Sequence, residues 1–498
     1  MKIFRSIRNL SSVLLALATS TLHAQDTALP PAPSAVLAQY GKGTPAGSGK
    51  TFQASATFAG PGGVKVERAN SAPLSLSIDD AVALGLQRNL RLLNDRANLQ
   101  IVKGDLLQVT NALLPSLTLK ASTSTQEINL AAMGFKPGNV RVSGFNGTFP
   151  NIVKVDVTQA LLNVNQTLFS LPAYELLRGA RDEEQVVNLN TLSSEGDLVV
   201  AVGTAYLKVL GDQSNLANAF ALERAAKTLF DQATAKRDAG VGTNLDALRG
   251  QVEFQTRLQQ RVSAESALAK DIIQLDRIMG LPAEQQLLLT DIAPFAQLAD
   301  MDLDRARATA YQRRKDYLSL QAQIHVAGRE RLAVKYQRLP TLAFGGYYGV
   351  IGETEGLYHG VFRAQGSLKF PIFREAGQRG DTEVISAQLL ALRQREADLR
   401  VTIDAQIRAA MLDVNSSHDL VKVAQSNVDL ATEELSDEQQ RFSAGIDDNL
   451  PVVDAQASLA GAQAQLVQAL YQYNGAKLQL ARSTGIVESQ YRTYLGTN

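Results

Sequence analysis

Cysteine and tryptophan are both missing from this chain of 498 residues, and the lack of cysteine excludes the most. Without a thiol there is no disulfide framework, no thiolate metal site and no cysteine nucleophile. Histidine is scarce as well. His23, His325, His359 and His418 stand alone, and none belongs to an H-E-x-x-H or similar ligand spacing. Excess charge is lacking too: 49 Lys and Arg balance 49 Asp and Glu, which leaves no basic footprint for nucleic acid. The acidic runs Asp182-Glu183-Glu184 and Asp437-Glu438 read as solvated helix faces. No catalytic constellation, cofactor motif or metal set emerges, and the chain reads as a non-enzyme that needs no cofactor.

Long hydrophobic runs are absent beyond the N-terminus. Lys2, Arg5 and Arg8 precede the short apolar core Val13-Leu14-Leu15-Ala16-Leu17-Ala18, and Leu22-His23-Ala24 offers a cut before Gln25. Residues 1–24 therefore read as a signal peptide, because the apolar run is too short to span as an anchor. After it, no stretch approaches the ~20 apolar residues of a membrane helix. An exported chain of this kind is periplasmic, secreted, or inserted as a β-barrel, whose strands escape hydropathy because their residues alternate.

Residues 25–73 are crowded with Pro and Gly, including Pro30, Pro31, Pro33, Gly41, Pro45, Pro61, Gly62 and Gly63, and read as a disordered extension. Gly43–Thr51 imitates a phosphate-binding loop, but Thr44 stands where Gly is required, and neither a preceding strand nor a following helix is evident.

What the chain does contain is a duplication. A shift of 225 positions sets Asp79 on Asp304, Arg88 on Arg313, and Leu114-Pro115-Ser116-Leu117 on Leu339-Pro340-Thr341-Leu342. A shift of 205 sets Gly240-Val241 on Gly445-Ile446, Asn244-Leu245 on Asn449-Leu450, and Gly280-Leu281 on Gly485-Ile486. The order A-B-A′-B′ divides the mature chain into repeats at 74–282 and 283–498, the second including a C-terminal tail.

Proline is absent between Pro172 and Pro282 and between Pro371 and Pro451, which permits very long helices. Over 385–442 the apolar positions Ile385, Leu389, Leu392, Leu399, Ile403, Ala410, Val414, Val421, Ala424, Val428, Ala431, Leu435 and Phe442 keep one helical face. That is a heptad seam. Gly240–Thr243 and Ala444–Asn449 read as turns, with Thr243 or Asp448 capping the next helix, so each repeat contains a helical hairpin.

Four stretches alternate with period two, as strands do. Leu117, Leu119 and Ala121 form the first, and Val153, Val155 and Val157 the second, running on towards Leu168-Phe169. Leu342, Phe344, Gly346 and Tyr348 form the third, and Phe362, Ala364, Gly366, Leu368 and Phe370 the fourth. A soluble sheet packed on a helix is one reading; with an export signal, membrane strands with Phe362, Leu368 and Phe370 facing lipid are the other. Four strands cannot close a barrel, and an open edge cannot face lipid, so membrane strands require several chains to share one barrel. Three chains supply twelve strands.

This combination resembles the TolC-type outer-membrane efflux protein family over about residues 74–487. The resemblance rests on the duplicated Leu-Pro-Ser/Thr-Leu strand entries, the strand ends Leu168-Phe169 and Phe370-Pro371-Ile372-Phe373, and the turns Arg237–Thr243 and Arg441–Ile446. It implies a mainly α fold with a small β part. Long helical hairpins would form a trimeric α-barrel continuous with a shared twelve-stranded transmembrane β-barrel, four strands per chain. It implies a passive conduit in the outer membrane with a large periplasmic part, working with a periplasmic adaptor and an inner-membrane pump. The adaptor would meet Arg237, Gly240, Val241, Thr243, Leu245, Arg441, Gly445, Ile446 and Leu450, although capping and turn geometry explain several of these equally. Asp437, Asp447 and Asp448 are entrance candidates by the same resemblance, with a solvated cap as the plainer role. Lacking cysteine, the chain cannot carry the lipid anchor of some relatives. A loop at 126–150, longer than that at 351–360, faces the exterior. Two other readings stand beside this one: the outlet of a type I protein secretion system, and a structural periplasmic coiled coil.

Overall fold

The computed structural model describes residues 72–134, 151–291, 298, 302–354, 356–444, 446 and 450–495. The signal peptide, the Pro- and Gly-rich extension up to residue 71, and Gly445, Asp447 and Asp448 lie outside them. The chain forms two compact units, one drawn from residues 104–182 and 325–389, the other from 72–103, 183–324 and 390–495.

In chain order the elements are β1 (Leu74–Leu76), α1 (Ile78–Arg88), α2 (Leu90–Asn111), β2 (Ser116–Asn129), β3 (Ile152–Phe169), α3 (Leu171–Asp238), α4 (Asn244–Met279) and β4 (Leu287–Leu289). Then follow α5 (Leu303–Arg313), α6 (Lys315–Tyr336), β5 (Thr341–Glu353), β6 (Tyr358–Lys369), α7 (Glu375–Ser443), α8 (Leu450–Ser483) and α9 (Val487–Leu495). The duplication is visible element by element. Helices α1 and α5 have 11 residues each and α2 and α6 have 22 each, with bounds displaced by the same 225 positions.

The longest helices lie in the proline-free stretches, and the first of these holds both α3 and α4. Helix α3 has 68 residues and α7 has 69, and Pro172 and Pro451 sit at the second positions of α3 and α8, where the missing N–H costs nothing. Every seam residue of α7 read from the sequence is buried or half-buried, and Ile407 and Ser417 continue the same stripe. In the helical unit Val202, Tyr206 and Val209 of α3, Leu275 and Met279 of α4, Ala410 and Val414 of α7, and Leu478 and Ala481 of α8 share one core. Near the turns, Leu229 of α3 packs with Phe442 of α7 and Val452 of α8.

Two features lie beyond the sequence reading. Strands β1 and β4 pair in parallel over three residues, and Tyr206 of α3 donates its hydroxyl proton towards Leu76 O (2.9 Å) and Asp291 Oδ2 (3.0 Å) beside them. Three residues are too few to show a period. What read as a C-terminal tail contains α9, whose Val487, Tyr491, Tyr494 and Leu495 are buried in the shared core. The acidic run at 182–184 also departs from a fully solvated face. Asp182 lies 3.5 Å from Arg329, and burial pushes the Glu183 carboxyl up.

The sheet unit holds four antiparallel strands in the order β2-β3-β5-β6. They have 14, 18, 13 and 12 residues, longer than the alternating runs from which they were read, and each exceeds the ~9–11 residues of a membrane strand. The extra length of β2 comes from the polar, Thr-containing segment Thr123–Asn129. Its partner Ile152–Thr158 keeps the alternation of Val153, Val155 and Val157, but the register sets those valines on the face of Asn163 and Asn165 rather than that of Leu162 and Val164. Strand β2 thus reaches Asn129, and β5 and β6 reach Glu353 and Tyr358, inside the loop bounds read from the sequence, while β3 begins at Ile152.

Candidate channel wall and docking tips

Strand register sorts the side chains into two faces. One face carries the rows Leu117–Val164–Gly346–Ala364, Leu119–Leu162–Tyr348–Phe362 and Ala121–Ala160–Val350–Gly360. These rows have no charged side chain, and Phe362 is 79% exposed. Among the described residues nothing covers this face. The other face carries the polar rows Ser116–Asn165–Gly345–Gln365 and Thr118–Asn163–Tyr347–Arg363, with Leu161, Val361 and Ile351 among the polar side chains further along it. Arg363 Nη2 donates to Gln365 Oε1 at 2.7 Å along it. Towards the hairpin ends the apolar face turns polar at Thr125 opposite Asp156 and Glu127 opposite Lys154. An apolar band with a polar margin is what a membrane strand presents to lipid and then to water.

Phe362 and Leu368 therefore lie on the apolar face, Leu368 opposite Leu342. Phe370 follows the last residue of β6 and is exposed, its strand ended by Pro371. Strands β2 and β6 are the sheet's edges, each with one row of unpaired backbone groups. They run in opposite directions, so β6 of one copy could pair with β2 of another in the antiparallel sense used throughout the sheet.

The first helical turn is closed by its own backbone. Gly240 has φ +76°, its N–H reaches Arg237 O at 2.9 Å, and Val241 N–H reaches Lys236 O at 3.0 Å. Thr243 caps α4, its hydroxyl accepting from Asp246 N–H at 3.1 Å. Arg237 is paired with Asp238 at 2.7 Å. Val241 is 78% exposed, and Leu245 continues that apolar surface. Leu248 and Val252, one and two turns further along α4, extend it and were not singled out from the sequence; their spacing from Leu245 was the available signal. At the second turn Ile446 and Leu450 are exposed, Arg441 lies 3.9 Å from Glu438, and Asp437 is exposed. The two turns approach each other through Lys236, whose Nζ stands 3.8 Å from the centre of the Phe442 ring.

Sequence reading also passed over ionisable groups inside the helical unit. Burial, then a hydrogen bond and charge from Asp271, push the Asp212 carboxyl up to about 6, against the opposing Lys208. Asp276 of α4 has no exposed surface, neither carboxyl oxygen has a hydrogen-bond partner, and burial pushes it up to about 7. Among the described residues no group of His and carboxylates is arranged for a metal, and no helix is long and apolar enough to cross a membrane.

The model of the family described as outer membrane efflux protein matches residues 82–281 and 306–486, one span in each repeat. The chain belongs to the outer membrane efflux protein family. It is 24% identical over 344 residues to the outer membrane protein TolC of Vibrio cholerae, covering 67% of this chain and 78% of that protein. It is 23% identical over 360 residues to the alkaline protease secretion protein AprF of Pseudomonas aeruginosa, covering 69% and 72%. The outer membrane channel CmeC of Campylobacter jejuni shares the fold with a TM-score of 0.70 at 13% identity, over 82% of this chain and 86% of that one.

As an outer membrane efflux protein the chain is a mostly helical channel subunit with a small strand part, located in the outer membrane. The coiled-coil rod is not favoured, since it leaves the uncovered apolar sheet without a purpose. Nor is the protein-secretion outlet, given the family's description as efflux.

Proposed function

We propose that three copies of this chain close one twelve-stranded barrel through the outer membrane and one helical tunnel in the periplasm, forming the passive outlet of a tripartite efflux system. The observation that carries this reading is the open four-stranded sheet. Its apolar face is uncovered and its edge strands β2 and β6 are antiparallel to each other. In lipid an unpaired edge costs several kcal/mol per unsatisfied backbone group, so closure by further copies is the way to place this sheet there. In this arrangement the apolar rows meet lipid and the polar rows meet water.

The helix turns meet a periplasmic adaptor, through Val241 and Leu245 at the first turn and Ile446 and Leu450 at the second. Arg237 and Arg441 flank them, and Gly240, Thr243 and Gly445 set the turn geometry. Asp437, Asp447 and Asp448 stand at the entrance. An inner-membrane pump supplies the energy, and the channel itself performs no chemistry. Residues 1–24 serve as signal peptide and 25–73 as an extension ahead of the repeats at 74–282 and 283–498. Electron microscopy of the detergent-extracted protein tests the assembly. Three-fold particles with an axial tunnel are expected; a monomer or a soluble rod would overturn it. Val241→Glu combined with Ile446→Glu should leave the particles intact and abolish efflux in cells, and unimpaired efflux would remove the tips as docking sites.

A further inference from the structure

Parity fixes which ionisable side chains a closed barrel would show to its lumen. On the polar face stand Lys369 opposite Thr341, Arg363 in the row of Asn163, and Lys120 in the row Lys120–Leu161–Gly349–Val361. His359 lies one row further towards the hairpin ends, opposite Ile351. Of the three acidic residues in the four strands, Glu127 and Asp156 lie on the opposite face, beyond the apolar band. Glu353, beside Val157 at the hairpin end, is the single carboxylate on the polar face. Among the described strand residues of each chain, three permanent cations thus stand against one carboxylate on this face, and no described carboxylate is in salt-bridge contact with Lys120, Arg363 or Lys369. Lys120 and Arg363 lie on the two edge strands, β2 and β6, which meet wherever two copies join.

We propose that the barrel lumen is anion-selective and that Lys120 and Arg363 set the preference, so that negatively charged solutes leave more readily than cations of equal size. The proposal rests on the channel reading above. Low-dielectric walls lined by one sign of charge focus the field into a narrow aqueous path and raise the local concentration of the opposite ion. Rings of Lys and Arg are the means by which pores select anions. A competing role for cations on edge strands is protection against wrong edge pairing. That role would make these residues matter for assembly and leave permeation indifferent to their charge.

The complete absence of cysteine supplies a test that changes the charge after assembly. The native protein and the variants Lys120→Cys and Lys120→Gln/Arg363→Gln are reconstituted in planar bilayers of zwitterionic lipid. Reversal potentials are read under a KCl gradient with about 0.01 M salt on the dilute side, where the screening length is ~30 Å. In the native channel chloride is expected to be more permeant than potassium, and the double variant to lose that preference while still conducting. A sulfonate-bearing thiol reagent on Lys120→Cys should shift the preference towards potassium, and an ammonium-bearing one should restore it. Lys154→Gln, on the outer face, should change nothing. At 1 M salt, with screening over ~3 Å, the native preference should shrink. Potassium preference in the native channel, or a chloride preference unmoved by the double variant and by both reagents, overturns the proposal. Intact particles that never conduct would instead overturn the channel reading beneath it.

Discussion

The two halves of this chain use the same contact in different chemistry. Asn89, in the break between α1 and α2, donates from Nδ2 to Ile278 O at 2.8 Å. Arg314, displaced by 225 positions into the break between α5 and α6, donates from Nη1 to Ser483 O at 3.3 Å, and Ser483 is displaced from Ile278 by 205. The duplication has kept the carbonyl and the direction of approach while exchanging a neutral amide for a guanidinium. The exchange required further partners, which Arg314 finds in Asp316 at 2.7 Å and Gln406 at 2.7 Å. Burial works to raise the Asp316 carboxyl, but the hydrogen bond and charge of Arg314, with the Arg482 charge and the Tyr317 N–H, together hold it below its usual range. Geometry is therefore the inherited part, and each half has satisfied its buried groups separately.

The difference should be largest when each donor is removed. Arg314→Ala breaks a buried pair and strands its partners, a change that costs about 3–5 kcal/mol. Asn89→Ala strands the Ile278 carbonyl and the Leu92 N–H that Asn89 Oδ1 accepts from at 3.1 Å, at about 1–3 kcal/mol. Denaturant midpoints of the two variants measure the gap, and equal losses would show that the extra partners of Arg314 contribute nothing.

A second asymmetry depends on pH. Asp276, buried in α4 without a hydrogen bond to either oxygen, corresponds under the 205 shift to Ala481 of α8, which is also fully buried. Burial raises the Asp276 carboxyl to about 7 from 3.8 in the unfolded chain. Below about pH 4 both states hold the proton and stability is unaffected. As pH rises through the window from about 4 to 7 the unfolded state ionises first, and stability falls by up to about 4 kcal/mol, at 1.36 kcal/mol per unit. Asp276→Ala, which makes the first half like the second, should match the native protein in acid and exceed it at pH 8. Stability curves that stay parallel across the window would show that the native fold already solvates or pairs this carboxylate.

Much of this was legible beforehand, for definite reasons. The seam from Ile385 to Phe442 could be read because dozens of consecutive residues repeat one period, and strands β5 and β6 because Leu342–Tyr348 and Phe362–Phe370 each alternate. The break at Asn89 and Arg314, the three-residue pairing of β1 with β4 and the burial of α9 depend on contacts between residues hundreds of positions apart, which no local period records. At the tips the turn chemistry of Gly240 and Thr243 was plain, and the role of Lys120 and Arg363 was not. Alternation told which residues share a face, and the register was needed to show that the cations stand together on the polar one.

The subtlest test of the duplication lies in Gly280 and Gly485, which end α4 and α8 in the two halves. Their φ angles are +76° and +73°, a region in which an L side chain costs about 1–2 kcal/mol. Each also abuts the end of its short helix. A Cβ on Gly280 would lie 2.4 Å from Arg88 O, and one on Gly485 would lie 2.6 Å from Arg314 N. Arg88 and Arg313 are equivalent under the 225 shift, so both glycines are pressed against the same inherited corner. Gly280→Ala and Gly485→Ala should then each lower stability by at least the strain alone, and by similar amounts. The second should lose slightly more, because moving the Arg314 backbone also disturbs its guanidinium contacts. Thermal midpoints of both single variants decide the matter. If Gly280→Ala were neutral while Gly485→Ala destabilised, only the second corner would still be under the constraint that the duplication handed to both.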